Sequence, residues 1–293
     1  MDVALQAIHL TKRYRRLTAV DDLSLAVPAG EVFGFLGPNG AGKSTTIRML
    51  LGLARPSSGS ARVFGIDARD VARAHRLMAY VPADVALWPR LTGAEHLDLL
   101  GGGSPGRSEP YRSELVERFA LDLSKPARTY STGNRQKVAL VAAFASRARV
   151  LVLDEPTSGL DPLMEREFRY AVRRARENGQ AVFLSSHQLA EVEAVCDRVG
   201  ILRAGRLVSV ASVGELRRSL HRSEVVASFA GAPPDLTGVP GVSAVAPAGD
   251  GTVRFALAGP PGPALRVLSD ASATAVSIRE PSLEEIFLDY YGR

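Results

Sequence analysis

The chain contains Gly37-Pro38-Asn39-Gly40-Ala41-Gly42-Lys43-Ser44, with Thr45 behind it. It fits the phosphate-binding pattern G-x-x-x-x-G-K-[ST] at every fixed position. Glycines at these places let the backbone curl, so that successive N–H groups converge on phosphate oxygens. A helix starting behind the loop adds unpaired N–H donors and a partial positive charge. Lys43 then reaches the β- and γ-phosphates, and the Ser44 hydroxyl is suited to Mg²⁺. A second element is the apolar run Val150-Leu151-Val152-Leu153, closed by Asp154-Glu155. At such a strand end Asp154 can complete a Mg²⁺ shell. Glu155, one residue on, can orient an attacking water or accept its proton. His187 follows Ser185-Ser186 at the end of another apolar run. In a parallel sheet it stands on the same rim, within reach of a γ-phosphate or the water. Tyr14 lies between Lys12-Arg13 and Arg15-Arg16. Its ring suits stacking on adenine, or it is an exposed strand aromatic.

These groups need elements to position them. Val32–Leu36 reads as a buried strand before the loop, and Thr45–Leu51 as a helix stopped at Gly52. Residues 2–30 alternate apolar and polar, which predicts antiparallel strands covering the edge of the phosphate-loop strand. Residues 61–65 read as a hairpin piece, and 69–78 as a helix leading into a strand at 79–82. From Ala83 to Leu123 the pattern is helical, interrupted at Pro89, at 101–106 and at Pro110. Trp88 reads as a core anchor ahead of a docking face. Ser131 opens a helix to Ser146, Leu163–Asn178 is a helix ended by Gly179, and 188–197 is helical. Residues 198–210 read as a hairpin turning at Ala204-Gly205. Strands alternating with helices predict an α/β fold: a P-loop NTPase core over 1–220, with a mostly parallel sheet, an antiparallel β edge and a helical insertion at about 84–147. Beyond His221 the composition shifts to Gly, Ala, Pro and Val. Strands at 224–229, 242–245 and 252–257, a hairpin at Gly249-Asp250-Gly251, a helix at 263–269 and the capping box Ser282-Leu283-Glu284-Glu285 predict a small C-terminal α+β domain, 221–293.

Composition narrows the class. The 293 residues, 46% hydrophobic, suffice for one large domain and a small one. No apolar run reaches membrane-spanning length and no signal segment opens the chain, which points to a cytosolic chain or one held at a membrane by a partner. One cysteine, Cys196, excludes an internal disulfide and a cysteine metal cluster, and its apolar surroundings predict a buried, inert thiol. The net charge is +5, but the basic residues are scattered and almost all arginine. Without a basic block this is a solvated surface, and no nucleic-acid partner is expected.

In order and spacing, the motifs over roughly residues 3–220 resemble the ATP-binding cassette (ABC) ATPases. Tyr130-Ser131-Thr132-Gly133-Asn134-Arg135-Gln136 resembles their signature, L-S-G-G-Q. Leu153 to Pro162 looks like the Walker B segment and D-loop, His187 the switch histidine, and Tyr14 the adenine-stacking aromatic. The resemblance implies ATP and Mg²⁺ as cofactors and a head-to-tail homodimer. Each ATP then lies between Lys43 of one subunit and Ser131, Thr132, Gly133 and Asn134 of the other. The single cassette, the tail domain and the ending Glu280 to Leu288 resemble ATP-binding subunits of bacterial exporters, drug-resistance types included. That implies a separate integral membrane permease and a place at the cytoplasmic face of the membrane. The chain departs from the family at Ala83, where a glutamine touching Mg²⁺ is usual; Asp84 is the nearest carboxyl in sequence. It departs again at Tyr130, Thr132 and Asn134 within the signature. Two further readings stay open: a soluble ABC protein acting on ribosomes or DNA, and an ATP-binding dimerisation module with little turnover, suggested by Ala83.

Overall fold

The computed structural model describes residues 2–101, 108–219 and 222–279. The chain divides into two compact units, Met1–Ala211 and Ser212–Arg293.

The first unit is centred on a sheet with the order Arg206–Ser212, Arg198–Arg203, Val32–Leu36, Ala181–Ser186, Val150–Asp154, Met78–Val81. Val32–Leu36, Val150–Asp154 and Ala181–Ser186 are buried along their whole length. That is why they read as continuous apolar runs rather than alternating ones. Their pairing is parallel, with Leu36 opposite Ser186 and Asp154 opposite Ser185. Parallel register brings the three carboxyl ends to one rim, where the chain must leave the sheet. Phe33 and Phe183 stack across the sheet at 5.9 Å between ring centroids, and Phe35 lies 5.2 Å from Phe183. Each such fully buried side chain contributes about 1.5–3 kcal/mol of burial free energy. Residues 198–210 form the expected hairpin. Its turn has positive φ at both central residues, Ala204 (47°) and Gly205 (79°), matching the twist of the flanking strands.

The antiparallel strands of residues 2–30 are present but do not line the phosphate-loop strand. Val32–Leu36 has parallel partners on both sides, so no edge is left for them. They form a second sheet, ordered Leu17–Pro28, Val3–Tyr14, Ser58–Val63, Ile66–Asp67. Its inward residues Leu5, Leu10, Leu23, Val27 and Val63 join one core with Phe33, Phe35 and Ile47.

The helix behind the loop is Lys43–Leu50, starting earlier than apolar spacing implies. Residues 69–78 hold only Val71–Ala74 and a 3₁₀ turn, His75–Leu77, before the chain extends at Met78. The insertion carries helices Gly93–Gly101 and Glu109–Arg118, followed by Thr132–Ala145; residues 102–107 lie outside those described. Its interior is filled by Leu97, Tyr111, Leu115 and Phe119. Trp88 is not a core anchor: it is 60% exposed. Its backbone N–H donates to Nε2 of the fully buried His96 at 2.9 Å, so the main chain is pinned while the ring faces out. Among the described residues no helix is long and apolar enough to cross a membrane.

The second unit has a sheet ordered Val242–Pro247, Thr252–Ala258, Arg222–Phe229, Ala273–Arg279, with the helix Gly262–Asp270. Val225, Ala227, Phe229, Val253, Phe255, Leu257 and Leu268 form its core. Ala273–Arg279 and the helix Val213–Ser219 are elements that sequence patterning does not mark. The strand is mostly exposed, so little burial imprints an alternation on it. The capping box at Ser282 lies outside the described residues.

Candidate active site

The loop leaves the sheet at Leu36 and turns through Gly40 (φ 82°) and Gly42 (φ 108°). At Gly42 a Cβ would lie 2.5 Å from the Ala19 carbonyl oxygen, so both conformation and space demand glycine. Gly42 is also the residue before the helix, and no side chain caps that helix. Its first-turn N–H groups thus stay available to an anion. Lys43 is buried, at 6% exposure. Its ammonium donates to the carbonyls of Gly37 (2.6 Å) and Pro38 (3.4 Å) and lies 3.2 Å from Glu155 Oε1. The Ser44 side chain is exposed at the same helix start, and Thr45 is half-buried. Ala41 is buried in the core.

Ser185 organises the acidic pair. Its hydroxyl donates to Asp154 Oδ1 at 2.5 Å, and Asp154 is buried. The Glu155 N–H donates back to Ser185, 3.1 Å from the carbonyl and 3.2 Å from Oγ. That fold-back goes with a left-handed backbone at Glu155, φ 49°. For a residue with a side chain this costs roughly 1–2 kcal/mol. Glu155 Oε2 meets His187 Nδ1 at 2.5 Å. Lys43, Glu155 and His187 thus form one linked polar chain, contributed by the three rim segments.

A cleft of about 640 Å³ opens over this chain, and its lining includes Tyr14, Lys43, Ser44, Ala83, Glu155 and His187. That volume lies within the range of small-molecule sites. Pro38, Asn39, Gly40, Gly42 and Thr45 also face it. Tyr14 stands 45% exposed, with the Lys12 ammonium 4.9 Å from its ring centroid. Ala83 lines the cleft where the family pattern has glutamine, whereas the exposed Asp84 does not line it.

Ser131, Thr132, Gly133 and Asn134 lie apart from the cleft lining. Ser131 caps the helix Thr132–Ala145, its Oγ accepting from the Asn134 N–H at 3.2 Å. Ser131 and Thr132 are exposed. A Cβ on Gly133 would lie 2.5 Å from the Gly159 carbonyl, so the signature turn and the segment after Glu155 touch through bare backbone. Gln136, buried behind them, donates through Nε2 to the Pro156 carbonyl at 3.0 Å. Tyr130, replacing leucine, is buried, and its hydroxyl donates to the Asp122 carbonyl at 2.6 Å. Sequence reasoning did not single out Ser185 or Gln136. The available signal for Ser185 was a polar pair closing an otherwise apolar strand.

The family model described as ABC transporter matches residues 20–158. The daunorubicin/doxorubicin resistance ATP-binding protein DrrA of Streptomyces peucetius is 36% identical, over 99% of this chain and 92% of that protein. A solved structure of an ATP-binding subunit of an ABC transporter superposes with a TM-score of 0.68 at 32% identity, covering 74% of this chain and 93% of the other. The ATP-binding cassette MJ0796, solved as a dimer in a post-hydrolysis state with ADP and Pi, gives a TM-score of 0.65 at 23% identity over 71% of this chain and 98% of its own; at that identity it speaks to the fold alone. With more than a third of residues shared along nearly all of both chains, the protein belongs to the ABC transporter family, as one of its ATP-binding ATPases.

Proposed function

We propose that hydrolysis of ATP to ADP and phosphate by this chain powers export of drug-like small molecules through a separate integral membrane permease, from the cytoplasmic face of the membrane. The observation that carries this reading is the chain Lys43–Glu155–His187 lying in a cleft over the phosphate loop. Export is supported by the similarity to DrrA, a daunorubicin/doxorubicin resistance protein.

Residues 37–45 would wrap the phosphates with backbone N–H groups and the Lys43 ammonium. Tyr14 would stack on the adenine. Ser44 and Asp154 would hold Mg²⁺, which supplies charge neutralisation at the phosphates when bound. Among the described residues no group of three or more His, Cys, Asp or Glu side chains is placed to hold a metal by itself. Two protein ligands fit Mg²⁺ that shares the phosphate oxygens and keeps its waters. Lys43 would exchange its contact with Glu155 for phosphate oxygens. Glu155 is then left to take a proton from water, with His187 fixing its orientation. Ser131, Thr132, Gly133 and Asn134 would meet the nucleotide of a second copy, the exposed helix start supplying N–H donors.

Phosphate release by the purified chain and by Glu155→Gln tests the catalytic assignment. Turnover should fall at least a hundredfold in the variant; equal rates would remove Glu155 from the chemistry. Gentle solubilisation of cells should co-purify a polytopic membrane protein, whereas ribosomes or DNA in its place would overturn the transport reading.

A further inference from the structure

His187 sits between two residues linked, through a serine hydroxyl, to one buried carboxyl group. Ser186, fully buried, ends the rim strand; Gln188 precedes the helix Leu189–Val195. The Ser186 hydroxyl accepts the Gln188 N–H at 2.9 Å and donates to Glu191 Oε2 at 2.6 Å. The link therefore runs from the residue after His187, through the residue before it, to Glu191. Glu191 itself is buried. A carboxyl group in that position is expensive to bury, and packing alone would be served by an apolar side chain.

We propose that Glu191 is a positioning residue for His187: its ionised carboxylate, acting through Ser186, holds the chain on both sides of the histidine in the arrangement that turnover requires. This rests on the reading of His187 given above.

The surroundings of Glu191 make its charge state a variable. Burial pushes its pKa up to about 7, the charges of Glu155 and Glu165 push the same way, and the hydroxyls of Ser186 and Thr157 pull it down. Thus groups face it from the segment after the carboxylate strand (Glu155, Thr157), from the helix Pro162–Glu177 (Glu165), and from the rim strand (Ser186). From its own helix end comes Cys196, whose thiol is itself pushed up by burial and by Glu191. The pKa lies above the ordinary carboxylate value, so the proton is held in the folded chain at mildly acidic pH and leaves as the pH rises through about 7. Protonation removes the anionic acceptor for Ser186, and the brace around His187 slackens.

The test is the pH profile of ATP turnover in the full chain, with kcat and KM separated. An ionisation centred near 7 makes kcat rise about tenfold from pH 6 to pH 8, with KM for ATP changing less than about twofold. Glu191→Gln keeps the shape but cannot ionise, so its kcat should stay low and flat over that range. Glu191→Asp should retain a pH-dependent limb. Thermal unfolding at each pH identifies any loss that is merely unfolding. A limb that persists unchanged in folded Glu191→Gln belongs to another group and overturns the proposal. His187→Ala is the separate arm. If it abolishes turnover while Glu191→Gln behaves as the parent, only the link fails; if His187→Ala retains full turnover, the underlying reading of His187 fails and the link with it.

Discussion

Two polar regions of the first unit are built in opposite ways. At the sheet rim, the buried Lys43 and Asp154, the partly buried Glu155 and the exposed His187 are tied to one another or to the strands: Lys43 to Glu155, Glu155 to His187, Asp154 to Ser185. At the signature helix start, the corresponding groups are backbone and small side chains largely in solvent, and the side-chain bonds of Ser131 and Thr132, from the Asn134 N–H and the Arg135 guanidinium, stay within the first turn. Pre-organised charge is worth most where water is excluded, because the local dielectric is low and the partners need not be reordered. Exposed N–H donors contribute little until another surface covers them. On the reading proposed above, the rim is one half of a nucleotide site and the signature the other, and within one chain the two do not share a cleft.

The sharpest way to break this contrast is at the rim. Lys43→Ala should weaken ATP binding at least a hundredfold, read by calorimetry or a fluorescent nucleotide, because it removes the buried ammonium over the loop. Retained micromolar affinity would dissolve the distinction between the regions. The signature half is tested by Ser131→Arg. The isolated chain should bind ATP within about twofold of the parent, and turnover should fall more than about tenfold. Loss of the cap accounts for only about 1 kcal/mol of stability. Mixing Ser131→Arg with Lys43→Ala should restore part of the turnover, because a head-to-tail pair puts both lesions into one site and leaves the other intact. Absence of any restoration at concentrations where the pair forms would place Ser131 in its own chain's site. The smallest effect is expected at the cleft mouth, where Tyr14→Ala should cost about 1–3 kcal/mol of ATP affinity. Unchanged affinity would make Tyr14 an ordinary exposed strand residue.

Much of the core was legible because its signals are local. Val32–Leu36, Val150–Asp154 and Ala181–Ser186 are buried on both faces and read as apolar runs. Gly179 marks a helix end through its positive φ of 77°, as does the Ala204-Gly205 turn for the hairpin. What failed was non-local. The strands of residues 2–30 read correctly as antiparallel, yet which sheet they join depends on competition for the flanks of Val32–Leu36, and that is settled by Ala181–Ser186 and Arg198–Arg203 far along the chain. Trp88 read as core because tryptophan carries a large apolar surface, but the buried place beside it is taken by His96. Ala273–Arg279 had no pattern to read, since an exposed edge strand imposes little selection on either face.

By itself the sequence determined the chemistry on offer: a loop that must curl at Gly40 and Gly42, an ammonium at its end, and two carboxylates and an imidazole each placed directly after an apolar strand. Those depend on residue type and short-range backbone geometry, which neighbours in sequence dictate. Tertiary structure alone decided that Glu155 stands between Lys43 and His187, that Ser185 orients the acidic pair, and that Ser131–Asn134 lies outside the cleft lining. The reason is physical: distances between side chains on separate strands follow from sheet order and register, and those are set by burial summed over the whole core rather than by any one segment.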